Sequence, residues 1–321
     1  MTHIPVIDAV AIGRNEGQRL IRCLDSLLAA GFRQIVYVDS CSTDGSVQAA
    51  ETRGIKVVQL DMSTPFTAAR ARNAGVAALP GVPAEHIQFI DGDCMLNPDW
   101  LPQASGFLTE NPHAAVACGR LREIAPDASL YNRLIDEEWN TPTGQTKACG
   151  GIALIRTKAF VAAGGFNSAL IAGEEPELCL RLRQLGWQIW RLETEMALHD
   201  AAMHRFDQWW RRSKRAGYSY ALGAALHGKA PERHNVAQTR RALAWGLGIP
   251  LAAILGAVFA HPILVILLLA WPLQIIRLWH RDGDLVRAAF LTLGKLPEAL
   301  GILEYWAKRL VGRDERLIEY K

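Results

Sequence analysis

Between Val6 and Asp93, short apolar runs alternate without a break with segments of helical period, and that alternation leaves few folds open. The runs "VIDAVAIG", "QIVYVDS", "IKVVQLD" and "HIQFIDGD" read as strands. Between them "EGQRLIRCLDSLLAAG", stopped by Gly31, then "GSVQAAETRG" and "TAARARNAGVAAL" read as helices. Strands joined through helices pair in parallel, which predicts an α/β fold: a Rossmann-like, mostly parallel sheet with helices on both faces. Ligands on such sheets gather beyond the carboxyl ends of the strands. The turn Gly13-Arg14-Asn15-Glu16, Asp39 and Asp91 all stand at such ends, so three polar turns are expected on one rim.

With 321 residues and 50% hydrophobic content the chain can supply a substantial core, in one large or two modest domains. A net charge of +3 gives no reason to invoke nucleic acid. Cys23, Cys41, Cys94, Cys118, Cys149 and Cys179 lie far apart, with no paired metal-ligand or redox spacing, and read as reduced, mostly packed thiols of a cytosolic setting. Asp8, Arg14 and Glu16 interrupt the first twenty residues, so a secretory leader is not expected.

After about residue 110 the pattern loosens, until "GGIALIRTKAFVAAGGFN" gives a strand and a helix. In "AGEEPELCLRLRQLGW", Pro176 suits the first helical position, which makes Glu175 the expected cap and leaves Glu174 just outside. Leu178, Leu182 and Leu185 would then share one buried face. From residue 243, "ALAWGLGIPLAAILGAVFA" and "PILVILLLAWPLQIIRLW" carry no charge until Arg277. Each spans about 27 Å as a helix, just short of the roughly 30 Å of a hydrocarbon core. Arg240 and Arg241 precede the first run, and Arg277, His280 and Arg281 close the second, the charge expected on the cytoplasmic side of a membrane hairpin. The segment "LVRAAFLTLGKLPEALGILEYWAKRLVGR" mixes apolar and basic residues as an amphipathic interfacial helix does, with Pro297 starting its second half. The expected organisation is a catalytic domain over 1–228, a basic linker over 229–242, a hydrophobic hairpin over 243–280 and an interfacial tail over 281–321.

"FIDGD", at Phe89 to Asp93, sets two carboxylates one glycine apart with no basic neighbour in the sequence. That is either a plain Asp-Gly turn or a place where a divalent cation offsets the repulsion. The ordered set "AIGRNEGQRLIRCLDSLL", "VYVDSCSTDGS", "ARARNAG", "FIDGDCMLNPDWL", "GGIALIRTKAFVAAGGFN" and "GEEPELCLRLRQLGW" resembles the family 2 glycosyltransferases of the GT-A fold, over roughly residues 6 to 220. The resemblance implies a role for each acid. Asp39 would accept a hydrogen bond from the donor's base, although Asp39-Ser40-Cys41 departs from the second Asp and the Gly that relatives often carry. Arg14, Glu16 and Arg72 would line the donor site. Asp93, with Asp91, matches the Asp-x-Asp motif that holds Mn²⁺ or Mg²⁺ on the donor diphosphate, Asp91 also approaching the donor's sugars. Asp93 is expected to be exposed. Glu174 and Glu175 match an acidic pair whose second member is the general base, here with Glu where Asp is usual, so that Glu174 could share the role. His199 matches a further metal ligand of some relatives.

"QWWRRSKRAGYSY" sets Trp209 and Trp210 among Arg211, Arg212, Lys214 and Arg215. It is faintly similar to the Gln-x-x-Arg-Trp element of processive synthases, but no Trp follows Arg211, so processive polymerisation is not expected. A basic loop closing over the diphosphate, or resting on anionic lipid, is expected instead. Together these imply an inverting, metal-dependent transferase at the cytoplasmic membrane face, using a nucleotide-sugar donor, a lipid-linked or glycan acceptor and membrane lipids as partners. Transfer to a polyprenyl phosphate, and a nucleotide-sugar-binding scaffold without catalysis, stay open as alternatives.

Overall fold

The structure is a computed structural model that describes residues 5–312, so the first residues of the expected catalytic domain and the last of the expected tail lie outside it. The chain divides into two compact units, one ending at His204 and the other beginning at Arg205.

The first unit runs β1 (Ile7–Gly13), α1 (Gln18–Ala30), β2 (Gln34–Asp39), α2 (Ser46–Glu51), β3 (Lys56–Gln59), α3 (Ala68–Ala77) and β4 (His86–Asp91). These match the seven predicted elements in order. It continues with β5 (Cys94–Leu96), α4 (Trp100–Glu110), β6 (Ala114–Glu123), α5 (Leu130–Trp139), β7 (Gly144–Thr146), β8 (Ala153–Arg156), α6 (Thr157–Ala162), α7 (Glu174–Gln184) and β9 (Gln188–His199). The sheet order is β3-β2-β1-β4-β8-β6-β9-β5, with β7 added on β9. The first four strands in that order are parallel. From β8 onward the sheet is mixed, because β8 runs antiparallel to both β4 and β6 while β6 and β9 are parallel. Leu20, Leu24 and Leu27 of α1 and Val10, Val36, Ile87 and Phe89 of the strands are buried in one core, each large side chain contributing about 1.5–3 kcal/mol by its removal from water.

The second unit is helical: α8 (Phe206–His227), α9 (Val236–Leu243), a π-helical turn over Ala244–Gly248, α10 (Ile249–Phe259), a 3₁₀ stretch over Pro262–Leu269, α11 (Ala270–Asp282), α12 (Leu285–Leu293) and α13 (Lys295–Val311). α9 to α10 form one 24-residue helix and Pro262–Asp282 a 21-residue one, both long and apolar enough to cross a membrane. At helical rises each is about 35 Å long, longer than the roughly 27 Å of its uncharged run. The flanking helical turns, which carry the arginines, make up the difference. Val258 and Phe259 are 69% and 81% exposed, and no residue of α11 is buried.

The basic segment "QWWRRSKRAGYSY" is part of α8 rather than a loop. Its neighbours explain why: Trp209 packs on Phe290, and Lys214 pairs with Glu304 at 2.6 Å. The tail is likewise not one interfacial helix. It breaks at Gly294, and α13 turns Ala299, Gly301, Ile302 and Tyr305 inward against α8. A Cβ on Gly217 would lie 1.9 Å from the Glu298 carbonyl oxygen, and one on Gly301 1.9 Å from that of Lys214, so only glycine permits this crossing.

Candidate active site

Register puts the predicted rim together. Gly13 lies opposite Asp39 across β1 and β2, and Ile12 opposite Asp91 across β1 and β4. Asp39 is buried, accepting from the Tyr37 hydroxyl at 2.9 Å and the Ser42 amide at 2.8 Å. Cys41 in the turn after it has φ of 67°. The turn thus adopts a left-handed geometry despite a side chain that disfavours it. Asn15 Oδ1 accepts from the Thr43 amide and Asp44 Oδ2 from the Gly17 amide, which tie the β1 and β2 exits into one layer. Arg14 lies over the Phe66 ring at 4.6 Å, and Glu16 pairs with Arg19 at 2.8 Å.

The basic partner that "FIDGD" lacks in sequence is supplied in space by α3. Arg72 is 2% exposed and donates from Nη2 to Asp91 and from Nη1 to Glu174, both at 2.7 Å. Burial works against its charge, yet the two carboxylates more than offset that and raise its pKa. A Cβ on Gly151 would sit 3.1 Å from both Arg72 Nη2 and Asp91 Oδ2, so the loop before β8 lies directly on this bridge.

Asp93 turns away from that bridge. Cys94 and Glu123 both lie opposite His199 in the β5–β9 and β6–β9 ladders, which brings three distant segments to one point. His199 Nε2 is 3.3 Å from Asp93 Oδ2, and its Nδ1 is 3.3 Å from Glu123 Oε2. The Trp139 ring meets the imidazole edge-on at 4.5 Å. The Asp200 amide donates to the Asp93 carbonyl at 2.9 Å, and Arg22 holds the Asp200 carboxylate at 2.7 Å. Asp93 is 7% exposed, which corrects the expectation of an exposed carboxylate: the ladders wall it in. Asp93, Cys94 and His199 are close enough to share one cation, whereas Asp91 faces Arg72.

Helix α7 starts two residues earlier than Pro176 predicts. Gly173, at φ of 79°, is the cap, and Glu174 and Glu175 are both helical. The first bond within the helix runs from the Glu177 amide to the Gly173 carbonyl, so Pro176 in the first turn has no partner to lose. Leu178 and Leu182 are buried as expected, but Leu185 is 54% exposed because the helix ends before it. Glu175 is buried, and its Oε1 accepts from the Cys149 amide at 2.5 Å and the Cys179 thiol at 3.0 Å. Burial raises its pKa against the lowering effect of those donors, and the Glu174 charge adds to the rise. Cys149 and Cys179, thirty residues apart in sequence, bring their sulfurs to 3.6 Å, so the widely spaced cysteines include one close pair.

Arg211 belongs to the second unit, where it pairs with Asp207 at 2.6 Å. The residues that sequence reasoning missed are Glu123, Asp200, Cys149 and Cys179. Cys179 lies within "GEEPELCLRLRQLGW" and Asp200 follows His199, but neither carries a signal of its own there. The pairing of β6 with β9 brings in Glu123, the Asp200 amide on the Asp93 carbonyl brings in Asp200, and the return of the 149–151 loop to α7 joins the two cysteines.

Residues 10–166 match the sequence model of the family described as Glycosyl transferase family 2. No curated protein matches the chain. Among solved structures, the mannosyltransferase PcManGT from Pyrobaculum calidifontis, in complex with GDP-Man and Mn²⁺, is similar at 18% identity and a TM-score of 0.59, covering 96% of this chain and 88% of that one. Glucosyl-3-phosphoglycerate synthase from Mycobacterium tuberculosis, in complex with Mn²⁺, uridine-diphosphate and glucosyl-3-phosphoglycerate, is similar at 18% identity and a TM-score of 0.52, covering 71% and 81%. Six motifs in order, the strand-end acids and these matches agree: residues 10–166 are a family 2 glycosyltransferase domain, and the chain is a glycosyltransferase of the GT-A fold.

Proposed function

We propose that the chain transfers a sugar from a nucleotide-sugar donor to a hydroxyl of a lipid-linked glycan at the cytoplasmic membrane face, with inversion and with Mn²⁺ or Mg²⁺ as cofactor. The observation that carries the reading is the meeting of Asp93 and His199 at 3.3 Å beyond the strand ends, with Glu123 behind the imidazole. One carboxylate and one imidazole suit Mn²⁺, and a carboxylate on the far ring nitrogen is the usual support of a metal-bound histidine. Bound there, the ion would offset negative charge on the departing diphosphate. Its presence in both similar structures supports the assignment.

This chain's residues do the rest. Asp39 receives the base, Arg14 and Glu16 border the donor, and the Arg72 bridge fixes Asp91 and Glu174 at the sugar end. Glu175 takes the proton of the attacking hydroxyl. Its raised pKa makes it a better proton acceptor than an ordinary carboxylate. Residues 1–228 supply this machinery in our reading, and 229–321 the attachment. Support for attachment comes from the two apolar helices, whose outer ends carry Arg240, Arg241, Arg277, His280 and Arg281. Arg211 would act at the diphosphate or at lipid headgroups.

The test is a panel of nucleotide sugars with Mn²⁺ and a lipid-linked hydroxyl acceptor, read as nucleotide release and product mass. Release should require the ion, stop with EDTA and stop in Asp93→Ala, whose fold should persist by circular dichroism. Full activity of either sample refutes the metal assignment.

A further inference from the structure

We propose that Cys149, Glu175 and Cys179 form a second metal site, for a thiophilic divalent ion of the Zn²⁺ type, which silences transfer by occupying the base. The inference rests on the reading of Glu175 as that base. Its ligand atoms lie within 4.8 Å of one another. Two Zn–S bonds of about 2.3 Å at a tetrahedral angle hold their sulfurs about 3.8 Å apart. Cys149 and Cys179 already stand at 3.6 Å, and Glu175 Oε1 lies 3.0 Å from the Cys179 sulfur.

Coordination therefore needs only small displacements. A disulfide would need the sulfurs to close to about 2.05 Å, a much larger movement. Glu175 and Cys179 are one helical turn apart on α7, which fixes two ligands on a rigid element, and the third arrives on the 149–151 loop, where Cys149 is partly exposed and offers the ion an entrance. Three protein ligands leave a fourth position for water.

The two sites differ in chemistry. The first cluster presents a carboxylate and an imidazole with one buried thiol, Cys94, beside them, whereas this one presents two thiols, which select a softer ion. Binding displaces two thiol protons as two metal–sulfur bonds and one metal–oxygen bond form, with no change of oxidation state. The Glu175 oxygen is then committed to the ion and no longer accepts a proton.

The probe is Co²⁺, titrated into the reduced full-length protein. A near-ultraviolet thiolate-to-cobalt absorption should saturate at one equivalent and disappear when Zn²⁺ is added. It should survive Asp93→Ala and be lost in Cys149→Ser and Cys179→Ser, with Cys149→Ala as a second variant and thermal melts as the folding control. In Mn²⁺-supported transfer, saturating Zn²⁺ should slow the wild type by roughly a hundredfold, the lower bound of what a positioned base supplies. The ratio of rates with and without Zn²⁺ should stay near one in Cys149→Ser, whatever that variant's own rate. Absence of the cobalt–thiolate band in the wild type overturns the site without any variant. Inhibition without the band places Zn²⁺ elsewhere and also overturns it. A band with undiminished transfer keeps the metal site but overturns the silencing, and with it the role of Glu175.

Discussion

Replacing Glu175 with glutamine isolates proton transfer from everything else the residue does. The amide oxygen can still accept from the Cys149 N–H and the Cys179 thiol, the two donors that hold the carboxylate at 2.5 and 3.0 Å, so α7 and the 149–151 loop keep their geometry. The Arg72 bridge runs through Glu174 and is untouched. What is lost is the ability to take a proton, worth about 10²–10⁴ in rate, or roughly 3–5 kcal/mol of transition-state stabilisation. Steady-state assays with a hydroxyl acceptor should show kcat reduced at least a hundredfold with donor affinity nearly unchanged. The product of the wild type should have the anomeric configuration opposite to the donor's, because one in-line displacement inverts the carbon. A phosphate acceptor, already ionised, would make the substitution far milder, and a scaffold would have no turnover to lose. Near-normal kcat with a hydroxyl acceptor removes Glu175 from the mechanism. Retention of configuration overturns the inverting assignment.

Three further outcomes follow from the packing. Arg72→Met should destabilise the first unit by about 3–5 kcal/mol in urea unfolding, since it leaves Asp91 and Glu174 facing each other beside a buried apolar group; a loss below about 1 kcal/mol would mean that water replaces the guanidinium. His86, 1% exposed at the start of β4, has its pKa lowered to about 4 by burial and by the nearby Arg156. The unfolded chain therefore takes up this proton first, and the stability present above pH about 6.5 should be lost as pH falls toward 4; His86→Asn should flatten that fall, and an unchanged pH profile would refute the assignment. Leu255→Asp combined with Leu268→Asp places charge on the exposed apolar helices, 50% and 39% exposed at those positions, and should abolish flotation of the full-length protein with liposomes. Wild-type protein that stays monodisperse without detergent would refute attachment.

What could be read from the sequence followed the range of the interactions. Elements β1 to β4 were legible because each has its own period and turn, and the rim followed because parallel strands place their ends together. The Asp93–His199 meeting was legible only as a resemblance, since 106 residues separate the two. Glu123 carried no signal: β6 ends in the polar "GRLRE", and its place beside His199 comes from a ladder with two irregularities at Cys118–Leu121. Gly173 was passed over in favour of Pro176 because proline marks a first helical turn without saying which residue of it. The basic face of α8 looked like a loop because its tryptophan's partner, Phe290, is more than eighty residues away.

The crossing of α8 and α13 sets an order of events during synthesis. α8 leaves the ribosome with Gly217, Tyr218, Ala221 and Leu222 uncovered, and the helix that covers them is not complete until the chain has been made beyond Lys295. At 5–20 residues per second the 84 residues from His227 to Val311 take about 4–17 s. Throughout that interval both long apolar helices emerge while the groove meant for α13 is empty. Whatever receives those helices must do so before the clasp shuts, and once shut it returns both of their ends to a single mount. A chain from which both apolar helices have emerged but α13 has not would therefore hold them on an unfinished base.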